Sequence, residues 1–296
     1  MYYMQLKGLG PAAWDEIVKA LEFLEDIFND CVGLLTTSPE DFHNGDIWAI
    51  IKEIYGVLGT IGTALLVLFF VAGAIKTCGS IAELKRPEAA VRMFIRCAIA
   101  KALVDNSLDV VKYIISVVQS IISDIFAYMP SPQEVPSFAY SPDAPVTYLS
   151  LDPGDFADDF AALAPLDAIP VYLVCLISHI VLVVIALIIV LTVYGRFFRI
   201  FMYVAISPLP LATIAGQPTE SIGFHFLKSF VGVCLQGAII TLAFIIFSVF
   251  IKDIPELKSI EISDIWEYVT QLIFCMLILL GVVKGSDRIT HEMLGL

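Results

Sequence analysis

Chemistry needs side chains that donate, accept or ligate at set spacings, and this sequence contains few. Its histidines, His43, His179, His225 and His291, have neither cysteine nor carboxylate at ligand spacing, so no tetrahedral N/S metal centre is predicted. Six cysteines follow no redox or metal pattern. Cys78 and Cys97 fall in a basic region, and Cys175, Cys234 and Cys275 lie in or beside apolar runs. Cys31 alone is expected on the oxidising side of a membrane, without a partner there, so no disulfide framework is predicted. There is no Walker A loop, dinucleotide fingerprint, HExxH or nucleophile elbow. The sequence therefore predicts no catalytic residue, cofactor or bound metal, and any ATP-driven step would belong to another subunit.

The informative side chains are those whose type conflicts with an apolar setting. Ser207, Pro208, Pro210 and Gly216 interrupt or end an apolar run from Ile200 to Ala215, flanked by Arg196, Arg199 and Lys228. Sixteen residues are short for a membrane helix, which needs about 20, and both prolines lack the N–H a helix interior uses. Positive charge on both sides places both ends on the cytoplasmic face. The reading is a re-entrant or sharply kinked hairpin, whose freed backbone must be buried in protein or line a wet cavity. A tilted, proline-kinked span is the alternative. Gly56, Gly59 and Gly62 recur every third residue, a spacing that lets helices approach closely in lipid, as at a subunit contact. Asp109, Lys112, Ser116, Gln119 and Ser123 share one helical face; polar groups in a span face a bundle interior or water. This stripe reads as an interior or pore-side face, or else as the polar side of a surface-lying helix. His179, alone in its span, reads as a helix–helix hydrogen bond rather than a proton relay.

The elements that carry these residues are set by composition. The chain is 58% hydrophobic with mean hydropathy +0.87, well above soluble domains, and several runs reach membrane-span length. The predicted fold is all-α and polytopic, with five transmembrane helices plus the proline-broken segment. Residues 1–55 form an acidic outer region in which 11–35 is an amphipathic helix, its stripe Trp14, Ile17, Val18, Leu21, Leu24 and Phe28 opposed by acids. That helix lacks the Lys and Arg of an interfacial helix, so it is expected on a neighbouring subunit, on the span behind it, or as a lid on its own bundle. Residues 56–128 hold the first two spans around a basic cytoplasmic loop, within which the helix from Pro87 to Val104 is expected along the inner leaflet. Residues 129–170 form an acidic, proline-rich outer loop without Lys or Arg. The third span, the broken segment 200–215 and the fourth span occupy 171–251; an acidic outer loop, the fifth span and a cytoplasmic tail complete 252–296. With the N-terminus outside and the C-terminus inside, the outer segments hold 22 acidic and 5 basic residues, as the positive-inside rule requires. The net charge of −13 argues against a surface that itself grips nucleic acid. The start MYYMQLKGLGPAAWDEIVKALEF has no apolar core of the kind a cleavable signal peptide carries.

Arg196-Phe-Phe-Arg199, followed by FMYVAISPLPLATIAG and FLKSFVGVCLQGAII, resembles the central segment of TrbL-like conjugal transfer proteins of Gram-positive conjugative elements. The likeness is strongest from Tyr194 to Phe250, and the hydropathy layout matches over most of the chain. It implies a multi-pass subunit of the cytoplasmic membrane, forming a homo-oligomeric channel or platform of a type IV secretion machine. Its implied partners are membrane lipid, separate cytoplasmic ATPases and extracellular-side components, with nucleic acid present only as translocated cargo in a relaxase–DNA complex. The rival readings are a small-solute channel or transporter, and a structural membrane scaffold. Transporters usually repeat their broken helices, and SPLPLATIAG occurs once.

Overall fold

A computed structural model describes residues 8–78, 87–127, 156–251, 259 and 261–296. The proline-rich loop around 128–155, the loop residues Lys85 and Arg86, and the acidic segment 252–258 lie outside the described residues. Among the described residues every regular element is helical: α1 (Leu9–Thr36), a 3-10 turn (Phe42–Gly45), α2 (Asp46–Cys78), α3 (Pro87–Asp105), α4 (Ser107–Ala127), α5 (Ala157–Ala162), α6 (Pro165–Ile206), α7 (Pro208–Ala212), a second 3-10 turn (Thr213–Ala215), α8 (Glu220–Phe250) and α9 (Ile262–Leu294). Four helical stretches, Phe42–Lys76, Leu166–Ile206, Glu220–Phe250 and Ile262–Leu294, are long and apolar enough to cross a membrane. The chain is a multi-pass helical membrane protein; α4, expected as a fifth span, is not among these four.

The helices contribute to two compact units, the first made of Met1–Thr36, Ile122–Tyr194 and Ile239–Ser286. Its core shows what the amphipathic pattern of α1 is for. Ala13, Ile17, Leu21, Leu24, Phe28, Val32 and Leu35 recur at helical spacing and are buried. They pack against Val171, Cys175 and Leu182 of α6, Ile240 and Phe244 of α8, and Ile265 to Val283 of α9. The Phe28 ring lies 4.5 Å from Phe244 and 5.9 Å from Phe247. Each large apolar side chain so buried stabilises by about 1.5–3 kcal/mol. Of the seats open to α1, the structure selects the spans of its own chain, leaving Asp15, Glu22, Asp26 and Asp30 exposed. Gly10 is the close approach at its N-terminal end, since a Cβ there would collide with the Phe160 carbonyl.

The second unit comprises Thr37–Ile121, Gly195–Ala238 and Asp287–Leu296. Its 3-10 turn carries His43, Asn44 and Gly45 at φ of 49°, 56° and 81°, and α2 then runs uninterrupted for 33 residues. The next helices, α3 and α4, return antiparallel to it: the Phe94 ring lies 6.0 Å from Phe70, the Ser107 hydroxyl 2.8 Å from that of Tyr55, and the Lys112 ammonium 5.6 Å from the Trp48 ring. Asn106 separates α3 from α4 with little change of path. Its N–H donates to Ala102 at 3.1 Å, and Val110 donates to its carbonyl at 3.0 Å. Ala100 and Val104 of α3 are buried in a core shared with Leu66 of α2.

The segment Ile200–Ala215 has no entering leg of its own. Ile200–Ile206 is the end of the 42-residue α6, and the regular hydrogen-bond ladder stops at the Ser207–Pro208 junction because Pro208 and Pro210 have no N–H to donate to the carbonyls four residues back, although Ser207 itself keeps helical dihedrals. The chain then makes one turn of α7, a 3-10 turn and a short link to α8. The break predicted at the prolines is present, but it joins two long helices rather than forming a separate re-entrant hairpin.

Candidate functional site: a proline wedge and a buried arginine

Proline at the first position of α7 suits a helix start, but it deprives the preceding turn of an N–H. Local hydroxyls supply donors. Ser207, fully buried, donates to the Val204 carbonyl from its N–H at 3.3 Å and its Oγ at 2.9 Å. Thr213 Oγ1 donates to the Pro210 carbonyl at 2.6 Å. Thr219 Oγ1 reaches the carbonyls of Thr213 at 2.7 Å and Gly216 at 3.2 Å. Hydroxyls thus pair several carbonyls around the proline break, where an unpaired carbonyl would cost several kcal/mol.

Glycines decide how deeply this wedge seats. A Cβ on Gly62 would lie 2.9 Å from both Cβ and the carbonyl oxygen of Pro208, and one on Gly216 would lie 2.9 Å from the Phe69 carbonyl oxygen. A Cβ on Gly73 would lie 3.3 Å from Gly216 Cα. Leu211, Ala212, Ile214 and Ala215 are buried against Leu66, Ala100, Val104 and Phe226. The predicted glycine face therefore divides. Gly62 is consumed inside the chain, whereas Gly56 and Gly59 meet nothing within 4 Å among the described residues. Gly73, which the threefold spacing omits, is part of the seat.

Beyond the wedge, α6 and α8 run antiparallel, with Tyr203 5.4 Å from Phe226 and 5.9 Å from Phe230. Here the three predicted basic flanks separate. Lys228 is exposed. Arg199, half-buried, binds Asp287 at 2.7 Å. Arg196, expected at the membrane surface, is 2% exposed. Its guanidinium lies 5.1 Å from the Phe197 ring centroid and fills the notch left by the missing Cβ of Gly237. Its Nε has no hydrogen-bond partner, and among the described residues no carboxylate lies within ion-pair distance. Arg96 of α3, by contrast, has a carboxylate, that of Glu220 at 2.9 Å. Basic charge beside an apolar run signals the flank; nothing local to the sequence signals that one of two arginines is enclosed.

The polar stripe of α4 does not face the interior of this chain. Asp109, Ser116 and Ser123 are exposed, Lys112 and Gln119 are half-buried, and the buried side is the apolar row Val111, Ile115, Val118 and Ile122. Lys112 alone of the five forms a described ion pair across elements, with Glu40 at 3.0 Å. In the first unit, His179 Nδ1 bonds Glu16 of α1. A carboxylate 163 positions away lies outside any ligand spacing.

No group of three or more His, Cys, Asp or Glu suited to a metal ion occurs among the described residues. No protein-family model, curated protein or solved structure matches the chain.

Proposed function

We propose that this chain is a membrane subunit of a conjugative type IV secretion machine, forming part of the channel or platform through which a relaxase–DNA complex crosses the cytoplasmic membrane. Separate cytoplasmic ATPases would power it, and copies of the chain would assemble with components on the outer side. One observation carries the reading. The residues that bear the TrbL-like resemblance, Tyr194 to Phe250, are those that build the closed wedge, the arginine notch at Gly237 and the α6–α8 pairing. The proposed topology has five crossings, an outer N-terminus and an inner C-terminus. The antiparallel return of α3 and α4 along α2 supports α4 as the crossing beyond the four long helices, and the outer excess of acid supports the orientation.

A small-solute transporter is the second reading, and Arg196 favours it, because an enclosed cation with no carboxylate among the described residues within ion-pair distance suits an anion path. Deleting the gene in the cell that carries it and counting DNA transfer distinguishes the two. Transfer that disappears and returns with the wild-type gene supports the secretion role. Undiminished transfer overturns it, and solute flux through the purified protein in liposomes would then support the transporter.

A further inference from the structure

The contact between Glu16 and His179 is independent of the secretion reading. Both side chains are about four-fifths enclosed, with exposures of 22% and 23%, beside a large apolar cluster. They join two elements: α1, seated on the bundle by Ile17, Leu21, Leu24 and Phe28, and the long α6. A cavity opens beside them, lined by Cys175, Ser178, His179 and Tyr268 among apolar side chains. The Ser178 hydroxyl is turned away to the Val174 carbonyl at 2.6 Å. An enclosed charge persists only with a partner, so the carboxylate and the imidazole depend on each other for the charged form of either.

We propose that Glu16 and His179 form a proton-binding site that fastens α1 to α6 and loosens it when the proton count of the pair changes. With the carboxylate ionised and the imidazole protonated, the contact is a charge-assisted hydrogen bond. Removing one proton leaves a neutral ring that donates to the carboxylate through Nδ1–H, a weaker bond. Adding one proton neutralises the carboxylate and leaves an imidazolium without a counter-charge. Few other titrating groups face it. Cys175 of α6 and Tyr268 of α9 line the same cavity. On α1, Asp15 is bound to Lys19 at 2.6 Å on the exposed side. Asp158 and Asp159 of α5 are exposed, Asp264 of α9 is hydrogen-bonded to Ser259 at 2.6 Å, Glu267 of α9 to Gln271 at 3.3 Å, and the part of α8 in this unit, residues 239–250, contains no ionisable side chain.

The test is hydrogen–deuterium exchange of the α1 amides between Ile17 and Leu24 in the full-length purified protein, from pH 4 to 8, after correction for intrinsic exchange. Protection should peak at intermediate pH and fall on both sides, by about tenfold where the charged bond is lost. Glu16→Gln should abolish the acid limb and His179→Gln the alkaline limb, while Asp15→Asn keeps both. A flat wild-type profile overturns the proposal without any variant having to fold, and so does a two-limbed profile that both substitutions leave intact.

Discussion

Gly62→Ala is the sharpest test of the wedge, because the space it removes is given by the coordinates. The new methyl would stand 2.9 Å from Pro208 Cβ and from the Pro208 carbonyl oxygen, and 3.1 Å from its carbonyl carbon. Carbon atoms prefer about 3.5–4.0 Å, so α2 and α7 must separate by roughly 0.5–1 Å. No rotamer change relieves this, since two of the three atoms are backbone and the third belongs to a ring. Ser207 is fully buried beside them and bonded to Val204, so the junction has little freedom to retreat. Overpacking of this kind costs about 1–3 kcal/mol, and alanine returns about 0.5–1 kcal/mol over glycine in a helix interior. The expected net loss is therefore about 0.5–2 kcal/mol. Gly56→Ala and Gly59→Ala carry only the favourable part, because none of the described residues lies within 4 Å of either position. Thermal unfolding in detergent should place Gly62→Ala below the wild type and the other two at or above it, with about 2–4 °C per kcal/mol. Gly62→Ala melting at or above the wild type would refute the seat. A smaller oligomer for Gly56→Ala or Gly59→Ala, at unchanged melting temperature, would show that the open part of the face meets another copy.

Two further outcomes are expected. Arg196→Met keeps the bulk and removes a buried charge that has no carboxylate within ion-pair distance among the described residues, so unfolding stability should hold or rise by about 1–4 kcal/mol; a loss of about 3 kcal/mol or more on the same scale would show that the guanidinium has an anionic partner. Burial, with the charge of Asp30 second, pushes the Cys31 thiol from 9.0 up to about 12. The stability this thiol contributes is complete below its unfolded value and is lost as pH rises toward its folded one, at up to about 1.4 kcal/mol per pH unit. Between about pH 9 and 10.5, Cys31→Ala should therefore lose stability less steeply than the wild type, and equal slopes in chemical denaturation would count against the burial of this thiol.

The features legible in the sequence are local or compositional. The stripe of α1 is readable over 11–35 and is observed from Leu9 to Thr36. The proline-free apolar run after Asp46 forms α2, and Pro87 opens α3. The chain breaks at Ser207-Pro208 because the stereochemistry of proline acts on its immediate neighbours whatever the surroundings. Tertiary packing settled everything that depends on which faces meet. It made Ile200–Ile206 the end of a long helix, because no steric signal before Pro208 interrupts hydrogen bonding there. It enclosed Arg196 and not Arg199, since only one of them points at the notch of Gly237. Gly62 went into the wedge while Gly56 and Gly59 stayed open, although spacing treats all three alike. The apolar side of α4, with Val111, Ile115, Val118 and Ile122, turned inward and its polar stripe outward, a choice that the pattern along the helix leaves open. His179 gained a carboxylate from α1, because packing joins positions that no period along the chain relates. Periodicity reports which face of a helix is apolar; the partner that covers the face, and any charge trapped beneath it, is set by helices distant in the chain.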